Sequence, residues 1–365
     1  MRDSMGRRPA TGFVIGAGVL LGATISLYAQ SSSTGSGQAG QTTVQPRPHV
    51  VIVHNPNASR RPPRKLAEMT MPVPKENPIT DEKAALGKRL FFDPILSSDR
   101  SVSCATCHDP ERAFADPRPL AVGVFGRVGK RHSPSLVNRG FGRSQFWDGR
   151  SRNLEEQVLQ PIADPNEMDL SIDEAVARLT ADDTYLAEFT AVFNRPIVTD
   201  DVARALATFL RTIRSGASAY DRFVAGETDA LTAEQQRGLQ IFRTRARCTI
   251  CHSEPLFTDE LFHNTGIAWR PPTGDEPGAF LDDGRYEVSK LERDRGRFKT
   301  PTLRDVARTA PYMHDGSLAT LEDVVEFYNN GGRPNRNLFP IITPLGLTAE
   351  EQQALQRFLE SLSGK

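Results

Sequence analysis

Apolar residues recur at helical spacing along this chain of 365 residues. The pattern is clear in residues 199–210, 320–328 and 348–359, where the apolar positions fall on one face of a helix. Strand-like alternation is scarce, and Pro and Gly are concentrated between the periodic segments. The sequence therefore predicts a mainly α fold whose helices are joined by irregular loops.

The helical segments fall into two similar halves. Residues 80–91 and 232–242 each begin with Thr-x-Glu and continue with a Leu/Gly pair and an apolar-Phe pair. Residues 199–210 and 348–359 are the helices that close each half. Capping boxes, in which a Thr and a Gln or Glu satisfy free amides, are predicted at two helix starts: Thr232 with Gln235, and Thr348 with Glu351.

The N-terminal segment differs in composition from the rest. In residues 1–29, the basic pair Arg7 and Arg8 precedes an apolar run at 13–29, as in a secretory signal peptide, although the cleavage site at Ala29 is imperfect. An uncleaved membrane anchor through residues 13–29 is the alternative. Both readings predict that the rest of the chain is exported. Residues 30–72, rich in Pro, Ser and Gly, predict a disordered linker.

Charge and length set further limits. The chain has 45 basic and 45 acidic residues, so nothing indicates nucleic acid or an anionic membrane surface as a partner. After the N-terminal segments, the remaining length suits two domains of ordinary size. The internal repeat places them at residues 73–226 and 227–365.

All four cysteines lie in two short motifs, CATCH at residues 104–108 and CTICH at residues 248–252. The two thiols of such a motif form thioethers with the vinyl groups of a haem, and the adjacent imidazole ligates the iron. The sequence therefore predicts two covalently bound c-type haems, one in each domain. Their attachment residues are Cys104, Cys107 and His108, and Cys248, Cys251 and His252.

Three other uses of paired cysteines explain the sequence less well. A zinc ribbon places its two Cys-x-x-Cys units roughly 15 to 20 residues apart, whereas Cys107 and Cys248 are separated by much of the chain. A thioredoxin-like dithiol needs a βαβ context, and structural disulfides need only the cysteines. Neither alternative gives the two adjacent histidines a role.

Further motifs resemble one enzyme family. Residues 146–150 (FWDGR), 157–168 and 309–316 (TAPYMHDG) are similar, in the same order, to motifs of the bacterial di-haem cytochrome c peroxidases, including MauG-like members. The resemblance covers nearly all of the chain after the linker. It implies a cytochrome c-like fold for both domains and a periplasmic location. It also implies a peroxidatic N-terminal domain and an electron-transfer C-terminal domain.

The resemblance implies a sixth ligand for the C-terminal haem. Counted from His314, Tyr328 occupies the position where many family peroxidases carry a ligand methionine and MauG-like members carry a ligand tyrosine. Met313 is the alternative ligand. Without the resemblance, Tyr328 would be read as a packed aromatic residue on an apolar helix face. A phenolate ligand would lower the reduction potential of the haem, and a thioether would raise it.

The resemblance also implies the residues around the N-terminal haem. The distal histidine of many family members aligns with Val124, so this iron is expected to be open to peroxide. Glu167 matches the family's distal glutamate, the base that moves a proton during O–O cleavage, and Gln157 matches its glutamine. Trp147 matches a tryptophan between the haems. The sequence alone favours a solvated loop carboxylate at Glu167, and core packing at Trp147 is compatible with its place between the haems.

His132 bears on two metal sites. It could ligate the N-terminal iron, but its place before Ser133-Pro134 favours a structural hydrogen bond. In the family it aligns with an asparagine that binds calcium together with carbonyls matching Thr309 and Pro311. Imidazole is a poor ligand for this hard cation, so a calcium ion between the haems is doubtful.

Three functions follow as hypotheses. The leading one is an exported peroxidase that reduces hydrogen peroxide to water with electrons from a small redox protein, a cytochrome c or a cupredoxin. The second is a MauG-like oxidase acting on Tyr or Trp of a protein substrate. The third is a di-haem electron carrier in which both irons are six-coordinate. A homodimer is left open.

Overall fold

The computed structural model describes residues 65–364, and most of their regular structure is helical. The helices are α1 (Asp81–Phe92), α2 (Cys104–Cys107), α3 (Leu154–Gln157), α4 (Leu159–Ala163), α5 (Ile172–Ala181), α6 (Asp183–Phe193), α7 (Thr199–Thr212), α8 (Ala219–Ala225), α9 (Ala233–Arg243), α10 (Tyr286–Ser289), α11 (Leu321–Asn329) and α12 (Ala349–Glu360). The strands are β1 (Phe262–His263), β2 (Trp269–Arg270), β3 (Ala279–Phe280) and β4 (Phe298–Lys299), with β1 antiparallel to β4 and β2 antiparallel to β3. The predicted mainly α fold is confirmed.

Short 3₁₀ turns complete the regular structure of these residues. They are Leu66–Glu68, Pro94–Leu96, Pro110–Arg112, Val124–Gly126, Arg139–Phe141, Cys248–Ile250, Glu292–Asp294 and Val306–Arg308. Most of them lie in the long connections between helices, where the sequence places its Pro and Gly.

The predicted signal peptide or anchor at residues 1–29 lies outside the described residues, as does most of the predicted linker. In the part of the linker that is described, Leu66 is buried and Met71 packs over Gly140. Within residues 65–364 no helix combines the length and apolar character that crossing a membrane requires.

Two hydrophobic cores underlie the two cytochrome c-like domains. The first is built from residues between Leu86 and Ile213, and the second from residues between Tyr220 and Leu362. In each core, aromatic rings from two crossing helices meet: Phe91 of α1 contacts Phe209 of α7 at 5.1 Å between ring centroids, and Phe242 of α9 contacts Phe358 of α12 at the same 5.1 Å. The domain limits at residues 72/73 and 226/227 stay predictions.

A glycine brings two helices of each domain into close contact. A Cβ atom built on Gly87 of α1 would lie 1.9 Å from the carbonyl oxygen of Ala205 in α7. A Cβ atom built on Gly238 of α9 would lie 1.9 Å from the carbonyl oxygen of Ala354 in α12. Only glycine permits this approach of two backbones. The sequence repeat therefore corresponds to a helix crossing that occurs once in each domain.

Both predicted capping boxes are confirmed. Thr232 Oγ1 accepts from the Gln235 amide at 3.2 Å, and Thr348 Oγ1 accepts from the Glu351 amide at 3.3 Å. The reciprocal bonds from the Thr amides to the Gln and Glu side chains are each 3.0 Å long. Helices α9 and α12 thus begin at the residues that the sequence indicates.

We expect Gly238→Ala to lower the free energy of unfolding by about 1–3 kcal/mol, because the added methyl group overlaps the Ala354 carbonyl. The cost of this overlap should exceed the gain of about 1 kcal/mol that alanine brings over glycine through its higher helix propensity. Thermal unfolding followed by circular dichroism measures it, with Gln240→Ala at an exposed position of α9 as the control. An unchanged or raised Tm for Gly238→Ala would contradict the packing argument.

Candidate active site

The histidine of each cysteine motif is oriented by a backbone carbonyl. His108 Nδ1 lies 3.0 Å from the carbonyl oxygen of Phe114, and His252 Nδ1 lies 2.8 Å from that of Phe257. Because a carbonyl only accepts, Nδ1 carries the proton and Nε2 keeps its lone pair for a metal. Burial lowers the pKa of both imidazoles, which favours the neutral form that a metal ligand requires.

The same loop geometry supports both histidines. Ser135 Oγ donates to the carbonyl of Ala113, and Thr302 Oγ1 donates to that of Leu256, both at 2.6 Å. The phenylalanine that follows each of these carbonyls has a left-handed φ, 58° in the first domain and 54° in the second. Such values are uncommon outside glycine, so their repetition indicates that the surrounding contacts hold the chain in this form.

Two adjoining cavities border the cysteine motifs. A cavity of about 70 Å³ is lined by Cys104, Cys107 and His108. A cavity of about 720 Å³ is lined by Cys248, Cys251, His252 and Tyr328. Both are also lined by His108, Gln157, Pro161 and Glu167. Two thiols and an imidazole with a free Nε2 at each cavity fit the attachment of one haem per domain.

Equivalent turns carry the motifs at residues 146–150 and 309–316. An isolated antiparallel bridge joins Gln145 to Ser151 in the first turn and Tyr312 to Leu318 in the second. The residue after each first bridge partner has a left-handed φ, 66° and 75°, and each turn contains a glycine with positive φ. Superposing the turns therefore aligns Trp147 with His314, and aligns the starts of α3 and α11.

The helices after these turns differ at one informative position. Pro161 lies seven residues after Leu154, just as Tyr328 lies seven residues after Leu321. Proline lacks an N–H group and its ring clashes with the carbonyl four residues earlier, that of Gln157. This explains why α3 ends there and α4 begins separately, whereas α11 is continuous. The N-terminal domain thus has an apolar ring where the C-terminal domain has a phenol.

Glu167 is half-buried and borders both cavities. Burial raises the pKa of its carboxyl group to about 7, the Asp164 carboxylate acts in the same direction, and the Arg150 guanidinium opposes them. A carboxyl group that titrates near neutral pH can both accept and return a proton. The structure thus brings together Glu167, Gln157 and the first cysteine motif, as the resemblance implied.

The loop at residues 123–129 packs directly on the turn that carries Glu167. The Val124 amide donates to the Glu167 carbonyl at 2.9 Å. A Cβ atom built on Gly123 would lie 2.2 Å from the carbonyl oxygen of Asn166 and 2.3 Å from that of Glu167. Val124 itself is fully buried. The loop therefore positions the glutamate and offers no side-chain ligand.

Trp147 lies where the two domains meet. Its indole Nε1 donates to the His132 carbonyl at 2.8 Å, and its own carbonyl accepts from the Lys299 amide at 2.7 Å. In the equivalent position of the other turn, the His314 carbonyl accepts from the His132 amide at 2.7 Å. The domains therefore exchange equivalent hydrogen bonds, and Trp147 belongs to that exchange.

The remaining candidate residues also lie near the larger cavity. His132 Nδ1 is 3.1 Å from the Arg118 carbonyl, which is a structural hydrogen bond of the kind expected from sequence. Thr309, Pro311 and Met313 line the cavity together with Tyr328. The choice of Tyr328 over Met313 as ligand, and the doubtful calcium ion, stay predictions.

Gly123 and Pro161 were not recognised as functional from the sequence. Pro161 could have been found by aligning the two Asp-Gly turns, since the same offset then leads to Tyr328. Gly123 had no such signal, because its contact with residue 167 joins positions far apart in the chain.

Two cytochrome c-like domains, each with a haem attachment motif and an oriented histidine, define a di-haem c-type oxidoreductase. Comparisons with known proteins agree. A family model described as di-haem cytochrome c peroxidase matches residues 81–229. MauG, the methylamine utilization protein of Methylorubrum extorquens, is 41% identical over 299 residues, which cover 81% of this chain and 82% of MauG.

Two further relatives support the same assignment. The cytochrome-c peroxidase IdrP1 of Denitromonas iodatirespirans is 37% identical over 320 residues, covering 80% of this chain and 84% of that protein. The crystal structure of a MauG-like protein associated with microbial copper homeostasis has a TM-score of 0.73 and 34% identity, covering 84% of this chain and 93% of that one. The chain belongs to the di-haem cytochrome c peroxidase family, whose members carry two c-type haems.

We expect Gly123→Ala to slow peroxide consumption roughly tenfold to a hundredfold while leaving haem content unchanged. The added methyl group would displace the backbone of residues 166–167, and a shift of about 1 Å at a catalytic group has this order of effect. Gly129→Ala is the matched control in the same loop, since its Cβ would meet neighbours only at 3.6 Å or more. Equal rates for the two variants would show that the contact does not position Glu167.

Proposed function

We propose that this protein reduces hydrogen peroxide to water at its N-terminal domain. The observation that carries the proposal is the difference between the surroundings of the two cysteine motifs. Beside the first motif, the cavity wall presents Glu167, with a pKa near 7, and the apolar ring of Pro161. Beside the second motif, it presents the phenol of Tyr328 at the position equivalent to Pro161. A vacant coordination site facing an acid–base group is what peroxide cleavage requires.

The chain's own residues have distinct parts in this reaction. When bound, the haem irons supply the site for peroxide and the path for electrons. The Glu167 carboxylate takes the proton from the near oxygen of peroxide and returns it to the leaving oxygen. The Gln157 amide orients the same oxygens. With two electrons and two further protons, one peroxide gives two molecules of water.

The electrons are proposed to enter through the C-terminal domain and to cross at Trp147. This indole lies in the hydrogen-bond exchange between the domains, which would hold it in a fixed position. The donor is proposed to be a small redox protein, a cytochrome c or a cupredoxin. The basic residues before the apolar run at 13–29 support export to the periplasm, where such donors and haem attachment are found.

A MauG-like oxidation of Tyr or Trp on a protein substrate is the second candidate. Tyr328, rather than a methionine, on the apolar face of α11 favours it, together with the 41% identity to MauG. Steady turnover of peroxide with a reduced cytochrome c or cupredoxin would support the peroxidase. Negligible turnover with a long-lived oxidised state would support the second candidate. Because the chain belongs to a family of di-haem oxidoreductases, the third hypothesis, a plain electron carrier, is not favoured.

We expect Glu167→Gln to slow peroxide consumption at pH 8 by about a hundredfold or more, the usual contribution of a general base. Because the deprotonated carboxyl group is the base, the wild-type rate should rise with pH through about 7. Stopped-flow measurement of peroxide loss between pH 5.5 and 8.5 tests both statements.

Glu156→Gln is the matched control for this experiment. Glu156 carries the same charge on α3, but it pairs with the exposed Arg152 and is absent from the cavity lining. Its rate and pH profile should match those of the wild type. A Glu167→Gln variant with a wild-type rate would remove Glu167 from the mechanism.

We expect the ferric wild-type protein to bind one cyanide per two haems and Tyr328→Phe to bind two. Removal of the phenol oxygen should open the second iron, because phenylalanine offers no ligand atom. Optical titration measures the stoichiometry, with Tyr312→Phe as the control, since Tyr312 donates instead to the Val306 carbonyl. If Tyr328→Phe still binds one cyanide while Met313→Leu binds two, Met313 is the ligand.

A further inference from the structure

Lys299 differs sharply from the residue equivalent to it in the first domain. Lys299 and His132 each precede a Ser/Thr-Pro pair, and their amides make the two hydrogen bonds exchanged between the domains. The His132 side chain is satisfied by the Arg118 carbonyl at 3.1 Å. The Lys299 ammonium has no hydrogen-bond acceptor among residues 65–364, although only 7% of the residue is exposed.

The nearest carboxylate does not neutralise this ammonium. Glu260 Oε1 lies 3.8 Å from Lys299 Nζ, beyond hydrogen-bond distance. Glu260 already accepts from Arg139 at 2.7 and 3.2 Å and from the Arg143 amide at 3.2 Å. When Lys299 is protonated, this one carboxylate therefore faces two cations, Arg139 and Lys299. Burial and the Arg139 guanidinium lower the pKa of Lys299 to about 7, whereas the Glu260 and Asp259 carboxylates act in the opposite direction.

Lys299 lines the larger cavity, and two other buried polar groups there lack partners. Arg304 Nη2 and His314 Nδ1 have no hydrogen-bond partner in the described part of the chain, and both residues line the same cavity. Leaving buried polar groups unsatisfied costs about 1–3 kcal/mol each, and more for a charged group. An ammonium and a guanidinium N–H that both lack an acceptor at one cavity fit an occupant that brings anionic oxygen atoms.

We propose that the Lys299 ammonium binds a carboxylate of a haem held in the larger cavity and thereby raises the reduction potential of that haem. The family's cofactor carries two carboxylates, which are the anions that its binding would bring to this cavity. A fixed positive charge favours the reduced haem, which has one more electron than the oxidised haem. The proposal rests on haem binding and is independent of the substrate.

Lys299→Met tests the proposal, because methionine is similar in shape and uncharged. We expect the equilibrium constant for one-electron reduction of one haem to fall about tenfold, which corresponds to about 59 mV. Lys299→Arg should keep most of the wild-type potential. Lys88→Met, at an exposed position of α1, is the control for loss of one positive charge. Spectroelectrochemical titration measures the potentials of both haems in all four holoproteins, with haem content determined in parallel.

Unchanged potentials of both haems in a fully loaded Lys299→Met protein would overturn the proposal. If a free anion occupies the site instead, the wild-type potential will depend on chloride concentration and that of Lys299→Met will not. That result also overturns it. If Lys299→Met does not fold, a crystal structure of the wild-type holoprotein decides. Nζ at about 2.7–3.2 Å from a haem carboxylate oxygen supports the proposal, and Nζ bound only to water or chloride refutes it.

These outcomes are separate from those for the peroxidase. A shifted potential in Lys299→Met with an unaltered rate in Glu167→Gln would support the lysine site and reject the proposed peroxide chemistry. Unchanged potentials in Lys299→Met together with a slowed rate in Glu167→Gln would reject the lysine site alone.

Discussion

The hydrogen bond from each motif histidine to a backbone carbonyl is the constraint on which the rest of the site depends. At 3.0 and 2.8 Å, these bonds fix the tautomer and direct Nε2 of His108 and His252 to metal binding. In each domain, a loop of the same geometry provides this support. What distinguishes the domains therefore lies elsewhere along the cavity walls, where Pro161 in one replaces Tyr328 in the other.

The contact between the domains is the proposed route of electrons between these two sites. The amides of His132 and Lys299 donate to the carbonyls of His314 and Trp147, each at 2.7 Å. Arg131 strengthens the contact, since it bonds Asp148 of the first turn and Asp282 of the second domain. A buried ion pair is not by itself evidence of stability, but this one fixes the orientation of the turn that carries the indole. Separate domains would leave Trp147 without that fixed position.

The sequence predicted features that depend on neighbouring residues. Capping boxes at Thr232 and Thr348, the helix behind Thr320 and the two cysteine motifs all follow from spacing within a few residues. Contacts between segments that are far apart in the chain could not be predicted from the sequence. The close approach of Gly123 to the turn of Glu167, and the unsatisfied ammonium of Lys299, arise only once the loops are packed. The family resemblance supplied Glu167 and Gln157, which spacing alone did not.

The central claim is that only one of the two irons has a vacant coordination site, and that it lies in the N-terminal domain. Electron paramagnetic resonance of the ferric holoprotein tests this most directly. The account predicts one high-spin haem and one low-spin haem in equal amounts, with the high-spin signal alone responding to added cyanide. Two low-spin haems that are both indifferent to cyanide would contradict it.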